Sequence, residues 1–127
     1  MPQFMRPQPN TSATYNTFTA YGDDYVCINT VRHTQNIIVI PDRLIPDWTA
    51  NHFDTLSLAD MQQIAALDAE IILFGTGKEL RFPPQELMQP LALVRKGLDV
   101  MNIHAACRAY NLLASEGRPV AAVLLFD

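Results

Sequence analysis

The sequence predicts an α/β domain of three layers: a central mixed β-sheet, helices flanking it, and an N-terminal antiparallel hairpin. Three observations lead there. Ile71–Phe74 and Val120–Phe126 are apolar at every position, as strands covered on both faces must be. Between them lie two stretches of helical periodicity around a brief strand, long enough for right-handed connections between parallel strands. Near the start, two runs rich in Thr, Tyr and Val flank the turn-forming cluster Gly22-Asp23-Asp24.

The elements follow in order. Residues 1–12 combine Pro, Gln, Asn and Ser with too little apolar surface to offset the entropy of ordering. They are expected to form a disordered tail, with residues 13–127 as a single domain. Tyr15–Tyr21 and Tyr25–Val31 make the hairpin, and Asn36–Ile40 a third strand that is apolar on both faces. Pro41 and Pro46 confine Arg43-Leu44-Ile45 to a sheet edge or an extended connector.

Ser57 followed three residues later by Asp60 has the spacing of a helix cap, and Leu58, Met61, Ile64 and Ala65 share one helical face ending near Asp68. After the strand at Ile71–Phe74, Pro83-Pro84 opens a second helix whose stripe is Leu87, Met88, Leu91 and Val94, with Gly97 at its C-terminus. Pro90 lies inside it, removes one backbone donor, and predicts a kink or a broken first turn. Arg95-Lys96 falls in its last turn, where cations favour the helix dipole. Leu98–Met101 is a short strand, and Asn102 caps a helix from Ile103 to Ser115 that Gly117 and Pro119 terminate.

The 127 residues suit one hydrophobic core, and 49% apolar with 17% charged residues is a globular balance. A net charge of −4 argues against nucleic acid as a partner. No apolar run approaches the roughly 20 residues of a membrane span. The N-terminal residues lack the apolar core of a signal peptide, and Cys27 and Cys107 have no paired spacing. These features point to the reducing cytoplasm.

The stretch GTGKELRFPP, Gly75 to Pro84, poses the functional question, because it sits at the carboxyl end of a parallel strand, where open α/β sheets bind ligands. A dinucleotide fingerprint needs glycine at position 80, which is Leu80. A nucleotide-hydrolase phosphate loop needs glycine at position 72 and a hydroxyl residue at 79, which are Ile72 and Glu79. What remains is a tight turn with backbone donors beside Lys78 and Arg81, able to hold a carboxylate or phosphate.

Cys107 has His104 one helical turn before it, yet it belongs to the stripe Ile103, Ala106, Cys107, Tyr110, Leu113, Ala114. It is expected to be a buried, unreactive core thiol. His33, His52 and His104 share no ligand spacing, the aspartates lack a calcium-loop pattern, and no catalytic triad order is visible. No cofactor or metal is expected.

Ile72-Leu73-Phe74-Gly75-Thr76-Gly77, Arg81-Phe82-Pro83-Pro84, Val100-Met101 and Ala105-Ala106-Cys107-Arg108-Ala109-Tyr110-Asn111, continuing through Leu112–Arg118 and Val120-Ala121-Ala122, resemble a family. It is the small-domain family containing the adipogenesis-associated domain protein and mitochondrial respiratory complex I assembly factor 3. Asn102 stands where that family often has Asp, a conservative change for a helix cap. The resemblance implies a three-layer α/β fold with a central mixed sheet. It carries over no catalytic residues, and the mitochondrial member acts through protein partners at a membrane complex.

The expected function is therefore a non-enzymatic protein-interaction module assisting assembly of a larger complex. The alternative is a ligand-binding or enzymatic site in which Gly75, Thr76, Gly77, Lys78 and Arg81 hold a small anion with Arg108 assisting. An exposed apolar patch away from the loop favours the first reading, and a pocket at the loop the second.

Overall fold

The computed structural model describes residues 15–126; the tail expected over residues 1–12 lies outside them. In chain order the elements are β1 (Phe18–Tyr21), β2 (Val26–Ile28), β3 (Val31–His33), β4 (Ile37–Ile40), β5 (Arg43–Pro46), α1 (Leu58–Ala65), β6 (Ile71–Thr76), α2 (Gln89–Leu93), β7 (Asp99–Met101), α3 (Ile103–Ser115) and β8 (Val120–Leu125). The central sheet has the order β5-β4-β8-β6-β7. Strand β8 pairs antiparallel with β4 and parallel with β6, and β7 extends the parallel part. The mixed sheet and its flanking helices are as the sequence predicts.

Alternation along the strands divides the apolar side chains between two cores. Ile38, Ile72, Phe74, Ala121 and Val123 face one core, with Trp48, Met61, Ile64 and Leu91. Ile37, Val39, Leu73, Ala122 and Leu124 face the other, with Cys107 and Tyr110 of α3 and Phe18, Val26 and Ile28 of the N-terminal strands. Connections β6 to β7 and β7 to β8 run in opposite directions along the sheet, so right-handed crossovers must lie on opposite faces. That is where α2 and α3 are found.

The N-terminal segment is a three-stranded antiparallel meander rather than one hairpin. Asn29 and Thr30 both have positive φ, 52° and 72°, and reverse the chain between β2 and β3. No glycine marks this turn, which is why the sequence reads Tyr25–Val31 as a single strand. Side chains stabilise the costly conformation: Asn29 Oδ1 accepts from Thr17 N, Asn29 Nδ2 donates to Asn16 Oδ1, and Thr30 N donates to Thr19 Oγ1. The meander is fastened to α3 by Asn111, which accepts from Phe18 N and donates to Phe18 O, both at 2.9 Å. Tyr110 adds an edge-on ring contact with Phe18 at 5.2 Å and a 2.8 Å hydrogen bond from its hydroxyl to Asn16 O.

Helix α1 begins with the capping box read from the sequence: Asp60 N donates to Ser57 Oγ and Ser57 N to Asp60 Oδ2. Asn102 caps α3 by accepting from Ala105 N at 2.8 Å. Pro90 does break its helix, leaving a single 3-10 turn over Gln85–Met88 before α2. Two expectations need correcting. Arg95, at φ 59°, ends α2 instead of Gly97, and Lys96 turns away so that its ammonium donates to Ala65 O and Leu67 O at the C-terminus of α1. Leu58 and Val94, placed on buried stripes, are exposed.

Burial pushes the Asp60 carboxyl up, but hydrogen bonds from Asn51, Thr49 and Ser57 outweigh it and hold the group below its ordinary 3.8. A folded-state pKa below the unfolded one gives stability that is present above the unfolded value and lost as pH falls through the folded one. Acidification below 3.8 should therefore erode wild-type stability more steeply than that of Asp60→Asn, read from urea melts across that window. Equal slopes would contradict the assignment.

Candidate functional site

The glycine stretch is used mainly by the fold. Gly75 and Thr76 are the last residues of β6. A Cβ on Gly75 would lie 2.8 Å from Leu124 Cδ2, 3.2 Å from Ala106 Cβ and 3.3 Å from Ile103 Cα, so glycine is what lets α3 approach the sheet here. Gly77 has φ 86°, and its carbonyl accepts from Ile103 N at 2.8 Å, tying the strand end to the first turn of α3. Amides at that helix start are thus engaged by Gly77 and by the Asn102 cap.

Thr76 is fully buried. Its hydroxyl donates to Glu79 O at 2.7 Å and accepts from Arg81 N at 2.9 Å, closing the loop on itself. The Arg81 guanidinium donates to Thr76 O at 2.9 Å and lies over the Phe53 ring at 4.5 Å.

Above the loop is an open cleft of about 380 Å³ lined by Asp23, Asp24, Thr76, Lys78, Glu79, Arg81 and Phe126. The structure brings the exposed Lys78 and the half-buried Arg81 to one surface, with Gly75, Thr76 and Gly77 buried beneath. Arg108 is exposed on α3 and is not among the cleft residues. Three carboxylates from the β1–β2 turn and the loop share the space with two cations. His104 sits at its lip, with Nε2 3.7 Å from Asp23 Oδ1 and its ring 5.2 Å from that of Tyr21.

A second surface was not named from the sequence. Between α1 and α2 runs a groove of about 370 Å³ lined by Leu58, Gln62, Ala65, Ala66, Gln89, Pro90, Leu93 and Val94. None of these residues is charged. Leu58, Leu93 and Val94 are 47%, 76% and 49% exposed, a contiguous apolar surface of the kind that marks interaction sites. A legible signal existed: the run from Gln89 to Val94 contains no charge, and α1 carries only the Asp60 of its capping box.

Among the described residues, no group of His, Cys, Asp and Glu side chains could hold a metal ion. No described helix is long and apolar enough to cross a membrane.

Comparison with known proteins matches residues 18–125 to a family described as "Protein of unknown function (DUF498/DUF598)". This chain belongs to the DUF498 family. A Bordetella parapertussis protein of known crystal structure is 35% identical, with a TM-score of 0.81 over 94% of this chain and 100% of that one. A Bordetella pertussis protein whose solution structure is described as a Mth938-like domain is 29% identical, with a TM-score of 0.76 over 95% of this chain and 92% of that one. A Francisella tularensis relative named "13 kDa major membrane protein" is 35% identical over 56% of this chain. The match spans 58% of that relative's length.

In this DUF498 domain Cys107 is fully buried, and burial pushes its thiol up to about 12 despite the opposing charge of Arg108. A thiolate is the reactive form, so Cys107 is a packing residue, as its place in the stripe implies. A thiol reagent added to native protein should label the half-buried Cys27 well before Cys107, read by peptide mass spectrometry. Cys107→Ala should cost about 1 kcal/mol through lost packing. Rapid native-state labelling of Cys107 would contradict this.

Proposed function

We propose that the domain is a non-enzymatic protein-interaction module that assists assembly of a larger complex, with the groove between α1 and α2 as its docking surface. The observation that carries this is the exposure of Leu58, Leu93 and Val94 around one uncharged groove. Covering apolar surface contributes about 25 cal/mol per Å². The family resemblance supports the assembly role through its mitochondrial member, which works by protein contacts at a membrane complex. We place the domain in the cytoplasm, where unpaired Cys27 and Cys107 suit a reducing compartment. The name of the Francisella relative is compatible with attachment to a membrane complex from that side.

The test compares proteins retained by the tagged full chain and by Leu58→Asp/Leu93→Asp when each is purified from the cells of origin. Both side chains are exposed, so circular dichroism and the thermal midpoint should stay close to wild type. The retained proteins should be lost from the variant. Recovery of the same set by both would overturn the proposed docking surface.

The small-anion reading has one observation in its favour, the presence of Lys78 and Arg81 on the cleft above the loop. Asp23, Asp24 and Glu79 on the same cleft weigh against it. If it holds, phosphate should raise the thermal midpoint of the wild type, because a ligand bound only by the folded state stabilises by mass action. Lys78→Ala/Arg81→Ala should abolish that rise. An interaction module without an anion site should show no phosphate-dependent stabilisation at all.

A further inference from the structure

We infer that Lys96 is a latch that holds α2 in place as one wall of the α1–α2 groove and so sets how well the groove docks its partner; this rests on the groove being a docking surface. Two helix ends line it, that of α1 at Ala65 and Ala66 and that of α2 at Leu93 and Val94. The half-buried Lys96 joins them, its ammonium donating to Ala65 O at 3.1 Å and to Leu67 O. Helix α1 has no basic residue in its own last turn, so the cation that a helix C-terminus favours is supplied by the segment that follows α2.

Among the described residues, every hydrogen bond from residues 84–97 to the rest of the chain comes from this ammonium. The remaining hold is apolar, through Leu91 with Leu87 and Met88 against the core beneath α1 and α2. A helix of five residues has little stability of its own, so its position depends on these contacts. The chain also accepts strain to make the polar one. Arg95 N donates to Ala92 O at 3.1 Å and Lys96 N to Leu91 O at 3.0 Å, the paired bonds of a helix end whose left-handed residue is usually glycine. Here that residue is Arg95, at φ 59°, while the glycine stands two positions later as Gly97. A long side chain takes this conformation at a cost, and the turn it makes is the one that sends Lys96 back to α1.

Hydrogen exchange of the purified full chain, followed by peptide mass spectrometry, reads the latch with no partner present. In Lys96→Met, residues 84–97 should exchange about tenfold faster than in the wild type, the scale expected when charge-assisted hydrogen bonds are lost. Helix α3 and strand β8 should exchange at the wild-type rate, and Lys96→Arg, which keeps a cationic donor, should restore most of the protection. Unchanged exchange in Lys96→Met would overturn the latch. So would acceleration shared equally by α3 and β8, which would make Lys96 a support of the whole domain, or a loss of protection in Lys96→Arg as large as in Lys96→Met. The proteins that the tagged wild type retains from the cells of origin give the second readout: Lys96→Met should retain less of them, and Lys96→Arg as much as the wild type. Equal retention by Lys96→Met would overturn the role of the latch in docking. Failure of the docking surface itself is recognised separately, because Leu58→Asp/Leu93→Asp then retains the wild-type set while exchange over residues 84–97 still reports whether Lys96 holds α2.

Discussion

The structure depends on a single constraint, the burial of β8 on both faces. All six of its residues, Val120 to Leu125, are fully buried, so neither face can be left to water. One face is closed by α1 and α2, the other by α3 and the N-terminal meander. The backbone must be satisfied as well, since a buried N–H or carbonyl without a partner is costly. Strands β4 and β6 supply most partners, and side chains finish the C-terminal end. The Trp48 indole donates to Leu124 O at 3.0 Å, and Asn36 Oδ1 accepts from Phe126 N at 2.9 Å. Asn36 Nδ2 then reaches Thr49 O and Asn51 O, so the segment after β5 is held by the strand it caps.

Gly75 belongs to the same constraint. The second layer can close over β8 only if α3 comes near, and α3 crosses the sheet beside Leu124 and Gly75. Gly77 then gives the chain a positive φ just where its carbonyl must receive the first amide of α3. Thr76, between them, directs its hydroxyl into the loop. The two glycines of the signature thus serve helix packing and turn geometry. The cleft above it is a consequence of that turn, and its charge is set by the residues the turn happens to face.

Those features with a local physical cause were legible in the sequence. Strands buried on both sides announce themselves by unbroken apolar runs, Ser57, Asp60 and Asn102 act through hydrogen bonds within one helical turn, and Pro90 acts by the backbone donor it lacks. What escaped depends on groups distant in the chain. The Asn29-Thr30 turn is held by Asn16, Thr17 and Thr19 across the meander. Arg95 takes the left-handed position because Lys96 has carbonyls of another helix to reach. At the candidate site, Lys78 and Arg81 lie close to Thr76 in sequence and share one cleft with it. The carboxylates of Asp23 and Asp24 arrive from a turn far earlier in the chain, a range over which pattern reading has no reach.

Leu58 and Val94 differ from those misses. Their periodicity assigns them to buried stripes, yet the folded chain leaves both at the surface, beside Leu93 and on one groove. Periodicity follows from what a helix face is packed against and does not distinguish the chain's own core from another surface. Of the remaining stripe residues, Met61, Ile64, Ala65 and Leu91 are buried and Leu87 and Met88 are half-buried against the same core, so the pattern itself is sound where this chain can supply a cover. The charge-free composition of the same face removes the usual means by which an exposed helix is kept from associating. A stripe that is apolar by period, uncharged along its groove and uncovered by the rest of the described chain is the physical basis of the proposed docking surface.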